Sequence, residues 1–128
     1  MSMIRSLFAV VLFLGSFKVL AHGEDKPGPH GGFLQMPGAF HVEVVPTGSA
    51  SMKVYLLDIE WKNPTIKDSV VKVSIKKELA LCKAQSDFYL CRFTDQVDLK
   101  QKSEMVVEAT REKVEGQPAI FQLPLKHR

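Results

Sequence analysis

Apolar and polar residues alternate in short runs over most of the chain, and the runs are rich in Val, Ile, Phe and Tyr. A period of two with β-branched and aromatic residues predicts half-buried strands. The first run begins at Ala39: Phe40, Val42 and Val44 share one face, while His41, Glu43 and Val45 share the other. The cluster Pro46-Thr47-Gly48-Ser49 predicts a turn, and residues 52–59 a second strand, so the two form a hairpin. Asn63-Pro64 breaks the chain before residues 69–76, where Val71, Val73 and Ile75 point inward. Residues 79–84 and 87–93 form another hairpin, and 95–102 is a polar loop. Alternation returns through Met105, Val107 and Ala109, then through Ala119, Phe121 and Leu123, where Pro118 and Pro124 predict an edge strand. About seven short strands with no amphipathic helix predict an all-β fold, a small Ig-like sandwich of antiparallel strands. A closed barrel is the alternative, since strand number does not separate the two.

The first 38 residues follow different rules. Arg5, the apolar stretch 7–14 and Val19-Leu20-Ala21 have the layout of an export signal, placing residues 1–21 in a removable leader. The stretch falls short of the roughly 20 apolar residues of a spanning helix, so no stable membrane anchor is expected after cleavage. Residues 22–38 are rich in Gly, Pro and His and predict a flexible arm, and residues 39–128 form the sandwich domain. Loss of Arg5 and Lys18 with the leader brings the 17 Lys and Arg close to the 14 Asp and Glu. A balance that near to neutral argues against a nucleic-acid partner, which needs a basic stripe to neutralise phosphates.

Export also bears on Cys82 and Cys91, because thiols pair in oxidising compartments. A turn at Ser86-Asp87 sets the two opposite each other on antiparallel strands, and the predicted disulfide is structural. The alternative is a pair of thiolate ligands for Cu(I) or zinc, but neither cysteine has a histidine nearby in sequence.

Three of the four histidines, His22, His30 and His41, lie within residues 22–43, together with Met36 and Glu43. Imidazole suits copper and zinc, and thioether suits Cu(I), so these residues are the candidate metal site, with copper expected first and zinc or another divalent transition metal as substitutes. Cleavage after Ala21 would give His22 a free α-amine beside its ring, and a second histidine would complete a T-shaped copper brace. Glu43, two residues beyond His41 on the same strand face, is expected to orient a ligating ring. The bland alternative is a disordered leader with surface histidines, and His127 is expected at a frayed end.

The run Gly28-Pro29-His30-Gly31-Gly32, followed by Val42-Glu43-Val44, resembles a segment near the mature N-terminus of periplasmic adaptor subunits of heavy-metal efflux pumps and of small exported proteins related to them. The pattern Val54-Tyr55-Leu56-Leu57-Asp58, Lys62-Asn63-Pro64 and Val71-Lys72-Val73 is similar to small Ig-like periplasmic domains associated with metal handling. The resemblance covers less than half of the chain. It implies a periplasmic or secreted copper or heavy-metal binding protein, a metallochaperone or an accessory to efflux or resistance, with an efflux-pump or envelope protein as partner. The adaptors' long helical hairpin and lipoyl-like modules have no counterpart here. No hydrolase, metalloprotease, P-loop or dinucleotide motif is present, so no enzyme is expected. The second functional expectation is a structural or protein-interaction Ig-like module of the envelope without a metal site.

Overall fold

The computed structural model describes residues 26–127. These residues form two antiparallel sheets with no helix among them. One sheet has the order β1-β2-β3-β7-β6, from β1 (Phe33–Gln35), β2 (His41–Pro46), β3 (Ser51–Leu57), β6 (Leu81–Gln85) and β7 (Phe88–Arg92). The other has the order β10-β8-β4-β5, from β4 (Val70–Ile75), β5 (Glu78–Leu79), β8 (Ser103–Arg111) and β10 (Ala119–Leu123), with β9 (Val114–Glu115) paired to the end of β8. Without the short additions, β2-β3-β7-β6 packed on β10-β8-β4 is the strand order of a seven-stranded Ig-like sandwich. The fold class expected from the alternation is the one the chain adopts.

Period two explains the core. Val42 and Val44 of β2, Met52, Val54 and Leu56 of β3, and Cys91 of β7 face Val73 of β4, Met105 and Val107 of β8, and Phe121 of β10, all buried. A buried aliphatic side chain contributes about 1.5–3 kcal/mol, so this shared interior, rather than any local propensity, holds the sheets together. As Pro118 and Pro124 suggested, β10 lies at an edge.

Three short strands had no signal in the alternation. β5 and β6 belong to one extended run that changes sheets at Ala80, whose N–H donates to Val73 O at 2.9 Å. β9 closes a two-residue turn on β8 in which Glu112 and Lys113 both hold positive φ, 47° and 67°. β1 lies within the expected arm: Phe33, Leu34 and Gln35 pair with Val44, Glu43 and Val42, so from there on the arm is an added strand on the sheet.

Cys82 and Cys91 form the expected disulfide, as register partners around the Ser86-Asp87 turn with 4.0 Å between their Cα atoms. The bond joins neighbouring strands of one sheet. It pins the outermost strand, β6, and leaves the contact between the sheets to hydrophobic packing.

Candidate functional site

The outer face of β2 holds the polar residues that the alternation placed there, His41 and Glu43, and both are buried. The chain segment before β1 covers Glu43. Gly28 to Gly31 make a tight turn, with Gly31 N–H donating to Gly28 O at 2.9 Å and Pro29 at the position where its fixed φ favours a turn. The turn closes onto the Glu43 carboxyl. Oε2 accepts the backbone N–H groups of His30 and Gly32, each at 2.9 Å, and Oε1 lies 2.6 Å from His30 Nδ1. Glycine at 28 and 32 is a steric need: a Cβ on Gly28 would collide with the Glu43 side chain, and one on Gly32 would stand 2.5 Å from Val44 O.

The His30 ring stacks on Tyr55, with centroids 3.7 Å apart and planes 6° from parallel. Tyr55 is the register partner of Glu43 on β3, so hairpin pairing puts the carboxylate and the ring platform side by side. Burial, followed by the negative charges of Asp87 and Glu43, raises the Tyr55 phenol above its ordinary value and keeps it neutral at physiological pH. The Glu43 side chain is 0 % exposed and that of His30 is 33 % exposed, so the imidazole is held on its inner side and open on its outer side. In the neutral ring with its proton on Nδ1, Nε2 keeps its lone pair, and no hydrogen bond to Nε2 occurs among the described residues.

His41 occupies a different environment. Its Nδ1 donates to Asp58 O at 3.1 Å, and its Nε2 accepts the indole N–H of Trp61 at 3.2 Å. The two bonds fix the neutral Nδ1–H tautomer and occupy the lone pair that a metal would need. Asp58 organises this end of the sheet. Its Oδ1 accepts the amides of Glu60 and Lys62, its Oδ2 accepts the Asn63 side chain, and these bonds hold Trp61 and Asn63 at φ values of 65° and 54°. The same bonds, with the Lys62 amide the largest influence, hold the Asp58 carboxyl below its ordinary value. The loop thereby delivers the indole to His41.

The structure therefore brings His30 and Glu43 together and separates them from His41, which lies two residues along β2 and faces another loop. Met36, 36 % exposed, lies just past the end of β1. His22 lies outside the described residues. Among the described residues no three His, Cys, Asp or Glu side chains converge as a metal site would require. The ring that Glu43 holds is that of His30, while His41 on the same strand face bonds elsewhere. His127 stacks on Phe33 with centroids 4.1 Å apart, where a frayed end was expected.

Tyr55 and Trp61 were not among the candidates read from the sequence. The signal for Tyr55 was available in the hairpin register, since a loop joining the partners Pro46 and Met52 places Glu43 opposite it. Trp61 had no such signal, because a left-handed backbone in the Asp58 loop sets its position. Comparison with family models, with curated proteins and with solved structures finds no match to this chain.

Proposed function

We propose that the protein binds a transition metal outside the cytoplasm, copper first, as a metallochaperone or an accessory to heavy-metal efflux, with His30 Nε2 as the ligand fixed by the fold. The observation that carries this is the Glu43-held imidazole. A ligating histidine ordinarily gives its other N–H to a carboxylate or carbonyl, which fixes the tautomer and raises the basicity of the coordinating nitrogen. His30 has that arrangement, with a buried carboxylate behind the ring and an open face in front. The disulfide supports a compartment that is not reducing, and the periplasm is the one we favour.

One imidazole does not make a tight site. The remaining ligands would come from residues 22–25, which carry His22, Glu24 and Asp25. The four steps from His22 to Lys26 span at most about 14 Å, and cleavage after Ala21 would give His22 a free amine beside its ring. His41 is a structural histidine in this arrangement. The second functional reading, an interaction module without a metal, gains support from the same bonds, because the Glu43 clasp also fastens the arm to the sheet.

The two are separated by copper titration of the exported chain, its start established by intact mass. Loss of the His30 ring in His30→Ala should weaken binding by at least about tenfold, or roughly 1.4 kcal/mol. His41→Phe should bind like the parent. A His30→Ala protein that folds and binds copper with parental affinity would remove the metal function and leave the interaction module.

A further inference from the structure

β6 is the last strand of its sheet; its start lies near β4, and beyond Ala80 no strand is paired to its outer side among the described residues. The two-residue turn makes Gln85 and Phe88 a hydrogen-bonded pair, so by alternation Lys83 and Leu81 also bond to β7. The N–H and C=O groups of Cys82 and Ala84 then point away from β7. The opposite side of β7 agrees: Phe93 N–H donates to Ala50 O at 2.7 Å, which places the outward groups of Cys91 toward β3 and away from β6. Ala80 has the same phase as Cys82 and Ala84, and its N–H is taken by Val73 O. Beyond the end of that contact, two consecutive outward-facing residues of β6 have no strand to pair with among the described residues.

The side chains beside this edge share one sign of charge. Leu81, Lys83 and Gln85 of β6 and Leu90 and Arg92 of β7 line a shallow cavity of about 420 Å³ on the outer face of the sheet. Lys53 stands across Leu90 from Lys83, with its ammonium 4.9 Å from the centre of the Phe88 ring. The nearest acids in the sequence are Asp87 in the turn at the tip of the hairpin, Glu78 before the edge and Asp95 after Arg92, and none of them lines the cavity. One exposed leucine, Leu81, and two cations, Lys83 and Arg92, thus flank this strand edge, with Lys53 farther in on β3. A second copy of the chain is a poor occupant, because antiparallel pairing of two β6 strands centred on Lys83 sets like charges opposite each other.

We propose that the open edge of β6 is a docking edge for an extended acidic segment of a partner protein, which adds as a sixth strand to that sheet. Backbone bonds to Cys82 and Ala84 supply the pairing, and carboxylates at alternate positions of the incoming strand meet Lys83 and, across Leu81, Arg92. The disulfide to Cys91 holds the receiving strand in register while its free side is engaged. The proposal stands independently of the metal function.

The test uses a labelled, end-blocked peptide of alternating Glu and Val, with a Lys and Val peptide as control, read by fluorescence anisotropy and by NMR of the protein amides. The acidic peptide should bind, shift the Cys82 and Ala84 amides, and weaken with salt, while the basic peptide should not bind. Ala84→Pro removes an outward N–H that the fold does not use, so it should melt close to the parent yet lose at least about tenfold in affinity. Lys83→Glu should lose a comparable factor by charge alone. Three results would overturn the proposal: no shift at the two amides, parental affinity in Ala84→Pro, or a β6-mediated dimer by sedimentation. Binding to vesicles of anionic lipid with no binding of the acidic peptide would also overturn it, by assigning the cations to a membrane surface.

Discussion

Replacing Glu43 by Gln changes the proton arrangement at His30 while keeping the shape of the clasp. The amide oxygen can occupy the place of Oε2 and keep both backbone bonds, from His30 N–H and Gly32 N–H. The amide NH₂ then faces His30 Nδ1, which must become the acceptor, so the ring proton moves to Nε2. Bonds to a charged acceptor are worth about 1 kcal/mol more than bonds to a neutral one, and three are affected. The lower desolvation cost of an amide offsets part of that, so the expected net loss is about 1–2 kcal/mol. At about 4–8 °C per kcal/mol for a domain of this size, the effect is readily seen in a thermal melt. Glu43→Ala should cost about 3–5 kcal/mol, because it leaves two backbone amides without an acceptor beneath the arm and opens a cavity. The decisive assay is long-range nitrogen–proton NMR of the His30 ring together with copper titration. Glu43→Gln should show an Nε2–H ring and copper affinity reduced at least about tenfold in a folded protein. An unchanged tautomer, or a changed tautomer with parental affinity, would refute the role given to this carboxylate.

Three further outcomes follow from the same structure. Gly32→Ala should destabilise by about 1–3 kcal/mol in denaturant titration, since the methyl group meets Val44 O and the backbone on which it sits is fixed by Glu43. A change below about 0.5 kcal/mol would show that the clasp yields. Replacing Cys82 and Cys91 together by Ala should lower stability by about 2–3 kcal/mol, the chain-entropy value for so short a loop, and leave copper affinity unaltered. Collapse of affinity in a folded variant would make the thiols ligands. Asp58 is held below its ordinary value by its loop bonds, so its contribution is present above the unfolded carboxyl value of about 3.9 and lost as pH falls through the lower folded value. The stability gap between the parent and Asp58→Ala should therefore close at acid pH, and a gap constant across that range would contradict the loop's dependence on the carboxylate.

The sequence alone determined which face each strand would bury. Phe40, Val42 and Val44 on one side and His41 with Glu43 on the other follow from a period of two, which no packing arrangement can change without moving the register. The same logic fixed the cysteine pair, because a two-residue turn leaves Cys82 only one partner. Local pattern could not determine what would cover the polar face of β2. Glu43 is buried because a turn of residues 28–32 folds over it, and that contact spans more than ten residues of sequence between His30 and Glu43. His41 likewise reads as a ligand in one dimension, and the loop that carries Trp61 bonds to its ring. Side-chain alternation is a property of the strand itself, whereas the partner of a polar atom depends on which distant segment the fold packs against it. For that reason the sandwich and its disulfide were legible in the residues, and the choice of His30 over His41 as the open imidazole belonged to the tertiary structure.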